Sequence, residues 1–566
     1  MTAPRLVAAV DAVTQYAVPR HPAPCDLDLA GTELPPLDQE ALRRGLADTD
    51  VTGYPDPSPL AVRIAARFGV AVDRVLIGAG TDDVVERAFR ATLATGREAL
   101  LTDPTFEMLP RYARLTGATI RTVPWPGSAF PVDALVKAVT PDTGLIAIVT
   151  PNNPTGAVAT AAEVREVARA APDAVLLVDG AYLEFADEDP TAALLDLPNV
   201  VVTRTFSKAW GLPAFRIGFA LGDARVIAAM RRAGTPFAVS APAITAACMA
   251  LETQQPAMGR RVAAVRAARE RLIAALARNH LDPISSQADF ACTASPRAGW
   301  LRDALAGLGI AARWLPGTPD RLRITTPLDD GSMDRLERAI DSAMRPEAIL
   351  FDLDGVLADV SRSYRATIVA TAGRFGARVT AADVAARKAA GDANDDWRVT
   401  RDLIVADGID GELDAVTAAF EAIYQGHNGT PGLRIAETLI PTDSWLRALA
   451  ARLPLAIVTG RPRTDADRFL AEQGVADCFS AVVCREDAAL KPDPAPVRLA
   501  LDLLGVTRAW MIGDTPDDLR AARAAGVVPI AIMAPGDSSA TSRASLDAAG
   551  ASRVLPSLEE LDTCLA

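Results

Sequence analysis

Lysine is what this chain does without. Among 58 lysines and arginines only four are lysine: Lys137, Lys208, Lys388 and Lys491. Where positive charge alone is wanted, the chain writes arginine. A retained lysine therefore points to chemistry that a guanidinium cannot do, because an amine can give up its proton and attack a carbonyl. Histidine is scarcer still, with His21, His280 and His427 only, which excludes a histidine-rich metal site. Six cysteines (Cys25, Cys248, Cys292, Cys478, Cys484, Cys564) are scattered without a CxxC pair. That excludes a disulfide framework and a zinc site and predicts reduced thiols in a cytoplasmic protein. No run of about 18 apolar residues occurs, and the first residues lack a basic stretch followed by an apolar one, so neither a membrane span nor a secretory signal is expected. Basic excess is missing too: net charge is −13 and pI about 5.0. An extended nucleic-acid backbone is therefore not an expected partner.

What is present is apolar mass. The chain has 566 residues, half of them hydrophobic, and a mean hydropathy of +0.16. That is enough for several domains with large cores and argues against disorder. A proline-rich start gives way to apolar runs separated by helical patterns. Short runs at residues 74–78, 99–102, 144–149, 174–178 and 200–203 each end in polar residues. This alternation predicts an α/β fold with a largely parallel sheet, whose ligands sit beyond the carboxyl ends of the strands. A long Ala/Arg helix is expected over 261–278 and a smaller α/β region over 285–324. At 348–355 a new strand opens with its own acidic signature, only a few residues after the preceding helix.

The first set of chemical residues centres on Thr205-Phe206-Ser207-Lys208, with Arg216 eight residues beyond the lysine. A nucleophilic amine beside hydroxyls and a guanidinium suits a lysine that holds pyridoxal phosphate as a Schiff base. The cofactor needs an amine (Lys208), a carboxylate for its ring nitrogen (Asp179), partners for its phenolic oxygen (Asn153, Tyr182) and a flat neighbour (Phe106). Its phosphate needs a cradle. The glycine-rich turn at 78–83, carrying Thr81 and Asp82, opens a helix and supplies one together with Thr205, Ser207 and Arg216. Taken singly, each of these is explained by a turn, a helix cap or a core aromatic.

In this order they resemble the fold-type-I aminotransferases, in particular the histidinol-phosphate aminotransferase branch, over about residues 35–344. The matching pieces are Tyr54-Pro55-Asp56-Pro57, Asp103-Pro104-Thr105-Phe106, Pro151-Asn152-Asn153-Pro154-Thr155-Gly156, Val178-Asp179-Gly180-Ala181-Tyr182, Ser207-Lys208 with Arg216, and Leu322-Arg323-Ile324-Thr325. The resemblance implies a homodimer in which Tyr54 reaches the other subunit's cofactor phosphate. It also implies that Arg323 binds the substrate's carboxylate or phosphate. The chain departs from the branch at Thr32-Glu33-Leu34-Pro35, where Asn-Glu-Asn-Pro is usual, and at Ala288-Asp289-Phe290, where Ala-Asn-Phe is usual. Both departures fall on the substrate side.

The second set begins at Phe351-Asp352-Leu353-Asp354-Gly355. Two carboxylates two residues apart at a strand end can be aimed at one point, one to attack phosphorus and the other to move a proton. Thr459 closes a second apolar run, Lys491 is another of the rare lysines, and residues 510–518 end a third run in an acidic cluster. Oxygen ligands beside a phosphate suit Mg²⁺. These four ordered motifs, from residue 348 to 566, resemble the phosphatase type of the haloacid dehalogenase superfamily. The resemblance implies Asp352 as nucleophile, Asp354 as general acid/base, phosphate binding by Thr459 and Lys491, and Mg²⁺ held by Asp352, Asp354, Asp514 and Asp518. The helical stretch at about 361–438 resembles that superfamily's cap, with Asp392, Asp395, Asp396, Trp397 and Arg398 as candidates for substrate contact.

Together these readings divide the chain into an aminotransferase domain at 1–346 (large domain about 40–255; small domain from the N-terminal arm and about 256–346) and a phosphatase domain at 347–566. They predict a bifunctional, cytoplasmic, homodimeric enzyme. It takes an amino-acid donor, a keto acceptor and a phosphate monoester, and has no nucleic-acid or membrane partner. Amination of a phosphorylated ketone followed by dephosphorylation would unite the halves. The alternatives are the same two chemistries on an amino alcohol or amino sugar, or one half serving as a non-catalytic module.

Overall fold

The computed structural model describes residues 7–11, 13–537 and 539–565. They fall into two compact units. The first comprises residues up to 18 together with 29–295 and 313–333; the second comprises 19–28, 296–312 and 334 onward.

The first unit is built on a seven-stranded sheet. Its strands are β1 (Val75–Gly78), β2 (Glu98–Asp103), β3 (Thr119–Pro124), β4 (Thr143–Val149), β5 (Val175–Asp179), β6 (Val200–Thr205) and β7 (Gly218–Gly222), in the order β1-β7-β6-β5-β4-β2-β3. β7 runs antiparallel to both β1 and β6, and the remaining pairs are parallel. Alternate residues face opposite cores: Leu100, Ile146, Ile148, Leu176, Val178, Val200 and Val202 on one side, and Leu101, Ala147, Val149, Leu177 and Val201 on the other. Burial on both faces is why these strands read as continuous apolar runs. Reversing direction twice brings the carboxyl end of β1 to the same edge as that of β6. The register then sets Gly78 beside Gly218, Gly218 beside Thr205, and Asp179 beside Thr203. A smaller antiparallel sheet holds β8 (Pro283–Ile284), β9 (Phe290–Ala294), β10 (Arg313–Leu315) and β11 (Arg321–Thr325), in the order β10-β11-β9-β8.

The second unit carries a parallel six-stranded sheet of β12 (Ala348–Phe351), β13 (Leu455–Val458), β14 (Ala481–Val483), β15 (Ala509–Gly513), β16 (Val528–Ile532) and β17 (Val554–Leu555). Its order is β14-β13-β12-β15-β16-β17, so β12 lies between β13 and β15. Between β12 and β13 the chain leaves the sheet for the helices Tyr364–Arg374, Ala381–Ala389, Asp396–Ala406 and Leu413–Gln425. Ala372, Ala377, Ile404 and Val416 form their small apolar core. Departure and return pass through a short antiparallel pair, Ala358–Asp359 with Thr438–Leu439. Elsewhere in this unit the fully buried Trp510 packs against Trp300, ring centroids 4.6 Å apart, and donates its indole N–H to Ser342 O at 2.8 Å.

Candidate active sites

At the carboxyl edge of the first sheet, Lys208 follows β6 by three residues. Its Nζ meets Thr32 Oγ1 and lies 5.6 Å from the centre of the Tyr182 ring. Thr32 also meets the Tyr182 hydroxyl at 3.2 Å. Asp179 is the last residue of β5 and is buried; its Oδ1 accepts from Ala181 N at 3.2 Å and from Thr203 Oγ1 at 3.3 Å. Burial, with Asp82's charge adding and Lys208's opposing, pushes its carboxyl up to about 6. Asn153 Oδ1 accepts from Arg323 Nη1 at 2.7 Å. The same guanidinium donates to Ala30 O at 2.7 Å and lies 5.2 Å over the Phe290 ring, which meets Tyr182 edge-on. Phe106 is partly buried against the core beneath the helices that follow β1 and β2.

The anion cradle is assembled from several segments. Helix Gly80–Thr92 begins at this edge, and Thr81 Oγ1 is anchored to Arg204 O at 3.1 Å. Arg216 adopts φ 49° and donates to Asp82 Oδ2 at 2.9 Å. A Cβ at Gly80 would come within 2.6 Å of Arg216 Nη2, and one at Gly218 within 2.7 Å of Thr81 N, so both positions need glycine to keep the cradle open. Ser207 N donates to Thr205 Oγ1 at 3.0 Å. A helix N-terminus, hydroxyls and a guanidinium at one point fit a phosphate, while an amine and a buried carboxylate stand at the same strand edge. The residues therefore fit pyridoxal phosphate. Tyr54 stands apart, 83% exposed, its ring stacked 4.6 Å from that of Phe237. Asp289, the departure noted in the sequence, is fully buried, and neither carboxylate oxygen has a hydrogen-bond partner. Burial lifts its carboxyl to about 6 against the opposing charges of Lys208 and Arg323.

In the second unit three adjacent strands deliver the acidic site: Asp352 follows β12, Thr459 follows β13 and Asp514 follows β15. One oxygen each of Asp352, Asp514 and Asp518 lies within 4.8 Å of the others, the grouping a divalent ion needs. Asp514 Oδ1 is buried without a hydrogen-bond partner, so the donor set fits Mg²⁺. Burial and mutual repulsion raise Asp352 well above the usual carboxylate range and Asp514 to about 7. Lys491 is buried among them, with Nζ 2.7 Å from Asp352 Oδ1, 2.5 Å from Asp518 Oδ1 and 2.9 Å from Val458 O. The two carboxylates overcome its burial and hold it charged. Asp354 does not join the trio. Its Oδ1 is taken by Arg461, whose Nε donates at 2.6 Å.

Facing the acids across a pocket are Tyr364, Arg365, Lys388, Asp396, Trp397 and Arg485. Of the 392–398 stretch, Asn394, Asp396 and Trp397 line it. Asp392 and Ala393 instead use their backbone N–H groups to dock on Asp517 at 3.0 Å. Thr32, Arg461 and Lys388 are site residues to which sequence reasoning gave no role. Each carried a signal: Arg461 follows the Thr459-Gly460 turn directly, Lys388 is one of the four lysines, and Thr32 opens the Thr32-Glu33-Leu34-Pro35 departure.

The chain matches the family model for aminotransferase class I and II over residues 27–340 and that for haloacid dehalogenase-like hydrolase over 346–526. An aromatic amino acid aminotransferase of Thermobifida fusca is 34% identical over 348 residues, 58% of this chain and 94% of that one. A histidinol-phosphate aminotransferase of Dechloromonas aromatica is 33% identical over 54% of this chain and 88% of its own length. An imidazoleglycerol-phosphate dehydratase of Phytophthora nicotianae is 47% identical over 198 residues, a third of this chain; the match spans only 44% of that relative. The solved histidinol-phosphate aminotransferase of Sinorhizobium meliloti superposes with a TM-score of 0.55 at 24% identity, covering 61% of this chain and 98% of that one. The chain belongs to the class I and II aminotransferases and carries, after that region, a haloacid dehalogenase-like hydrolase region.

Proposed function

We propose that this is a bifunctional enzyme of two modules, divided at about residue 346, that transfers an amino group at Lys208 and hydrolyses a phosphate monoester at Asp352. The reading is carried by one observation: two sets of candidate reacting groups on one chain, each at the carboxyl edge of the parallel strands of its own sheet. At the first site pyridoxal phosphate, when bound, supplies an electrophilic carbon and an electron-withdrawing ring. The chain does the rest. Lys208 Nζ would be the amine and the proton carrier, Asp179 would keep a proton at the ring nitrogen, and Asn153 with Tyr182 would meet the phenolic oxygen. Phe106 would face the ring. Thr81, Asp82, Thr205, Ser207 and Arg216 would hold the phosphate end. Arg323 offers a planar fork to a substrate carboxylate or phosphate.

At the second site Asp352 attacks phosphorus while Thr459 and Lys491 hold the phosphoryl oxygens. Asp354 protonates the leaving oxygen and then takes a proton from the attacking water. Asp352, Asp514 and Asp518 would hold Mg²⁺, which offsets the charge that builds on the phosphoryl oxygens.

The substrate we propose is a phosphorylated ketone, aminated first and dephosphorylated second. The similarity to histidinol-phosphate aminotransferases supports imidazole acetol phosphate and its amino product. A homodimer, with Tyr54 serving the other subunit, and a cytoplasmic location belong to the same proposal. Among the described residues no helix is long and apolar enough to cross a membrane. The buried carboxylate of Asp289 favours a second reading, a related amino alcohol or amino sugar, because this chain has an acid where the branch has an amide. The test is full-length protein with Mg²⁺ and pyridoxal phosphate, assayed for amino transfer from glutamate and for phosphate release from histidinol phosphate. Absence of phosphate release from the amino product refutes the pairing.

A further inference from the structure

Arg461 is almost wholly buried, and its guanidinium is divided between two carboxylates. Nε donates to Asp354 Oδ1 at 2.6 Å, and Nη2 lies 2.5 Å from the same oxygen. Nη1 donates to Glu437 Oε2 at 2.9 Å. Glu437 Oε1 in turn accepts from Ser363 Oγ at 2.8 Å and from Tyr424 OH at 3.0 Å. The guanidinium lies 4.8 Å over the Tyr364 ring and 5.4 Å from that of Phe469. Ser363, Tyr364, Tyr424, Glu437 and Phe469 are all buried. Asp354 and Arg461 both line the pocket, whereas Glu437 is not among its lining residues.

The topology gives this network direction. Asp354 and Arg461 belong to the core, each following a central strand. Ser363 stands where the chain enters the first cap helix, Tyr424 lies in the last turn of the last one, and Glu437 adjoins the returning strand Thr438–Leu439. One anchor of Arg461, Asp354, thus lies in the core, and the other, Glu437, lies at the returning crossing, where Ser363 and Tyr424 hold it.

We propose that Arg461 is the positioning residue for Asp354, and that Glu437 makes this placement depend on the cap being seated on the core. The proposal rests on the reading of Asp354 as the proton-transfer group. The buried guanidinium is shared, with Nε and Nη2 on Asp354 and Nη1 on Glu437, so the direction of its fork is set by both carboxylates together. Its contacts with the reacting groups run through Asp354, so Arg461 acts by holding that carboxylate. By occupying Oδ1 it leaves Oδ2 as the oxygen that carries the proton. In the first step an Asp352 oxygen bonds to phosphorus, the bond from phosphorus to the leaving oxygen breaks, and that oxygen takes the Asp354 proton. In the second step water bonds to phosphorus, its proton returns to Asp354, and the Asp352–phosphorus bond breaks. A cap lifted away would carry Ser363, Tyr424 and Glu437 with it and release Arg461. Proton transfer is thereby confined to the closed pocket.

The test compares two esters in the full-length protein with Mg²⁺. An alkyl phosphate, 2-aminoethyl phosphate, needs its leaving oxygen protonated; p-nitrophenyl phosphate does not. Arg461→Met is expected to lower kcat for the alkyl ester about 100-fold and for the aryl ester less than about fivefold, with KM within about threefold. In an Asp354→Asn background the same change is expected to cost less than about twofold, because the arginine has nothing left to position. Glu437→Gln is expected to show the same selectivity at about tenfold. Arg461→Lys is expected to recover much of the alkyl activity. If Arg461→Met does not fold, Arg461→Lys and Glu437→Gln carry the comparison. Equal losses on both esters, a primary rise in KM, or additive losses with Asp354→Asn would overturn the proposal. A wild-type chain that hydrolyses neither ester overturns the phosphatase reading, and the proposal with it.

Discussion

Asp289→Asn is the sharpest probe of the first site. The wild-type carboxyl is fully buried without a hydrogen-bond partner, and its pKa rises from 3.8 to about 6. Such a rise is worth about 3 kcal/mol between the two protonation states. Because the folded value is raised, the neutral acid is the form the fold prefers. Its contribution is fully present below pH 3.8, declines between there and about 6, and stays lost at higher pH. Asparagine has nearly the same shape and no charge at any of these values. Its own unpartnered amide costs about 1–3 kcal/mol, but that cost does not change with pH. The advantage of Asn over Asp should therefore grow by about 2.5 kcal/mol between pH 4 and pH 8. Calorimetry of the full chain, with cofactor saturating in both proteins, reads this as a shift of about 5 °C in the transition of the first unit. A difference in Tm that is the same at both pH values refutes the reasoning, since it would mean that Asp289 keeps a partner for its charge when folded.

Three further outcomes follow from the geometry. Lys208→Ala should remove the cofactor's near-visible absorption band and all amino transfer, while phosphate release with Mg²⁺ stays within about twofold; loss of both activities would count against independent sites. Asp352→Asn, or chelation of Mg²⁺, should reduce phosphate release by at least about 1,000-fold without affecting amino transfer, as a malachite green assay and a coupled glutamate assay would show. Trp510→Ala should destabilise the second unit by about 3–5 kcal/mol in urea unfolding, because a fully buried indole leaves a cavity and an orphaned Ser342 carbonyl; a cost under about 1 kcal/mol would show that the site collapses around the gap.

How much of this the sequence could reveal depended on range. Asp179, Lys208, Asp352, Thr459 and Asp514 were legible because each follows an apolar run, and parallel sheets place such ends on one edge. The helix expected over 261–278 forms from 255, and the cap helices fall inside the expected stretch. What the sequence could not show were contacts made across long separations. Thr32 meets Lys208 over 176 positions, and Arg461 meets Asp354 over 107. No local pattern encodes such pairs. Asp289 could be marked from the sequence as a departure, but only the fold shows its carboxylate stranded. Pro296–Ala312 read as part of a small α/β region, yet contacts with Trp510 and its neighbours draw Trp300 into the second unit.

The scarcity of lysine proves informative in a way that simple charge counting would miss. Lys491 is buried between Asp352 and Asp518, at 2.7 and 2.5 Å, and the pair keeps it charged. A compact ammonium fits between two carboxylates and a backbone carbonyl where a planar guanidinium would not. Lys388 is likewise held, 2.6 Å from Asp396 on the pocket wall. At Lys208 the surroundings are of another kind: a threonine hydroxyl and the face of a tyrosine ring, with no carboxylate at ion-pair distance among the described residues. There the nitrogen is set beside a hydroxyl and an aromatic face instead of being locked in a salt bridge. The same side chain is thus paired with carboxylates in one unit and left among neutral groups in the other. Substituting arginine should abolish both activities for different reasons, by misfit at 491 and by loss of the nucleophile at 208.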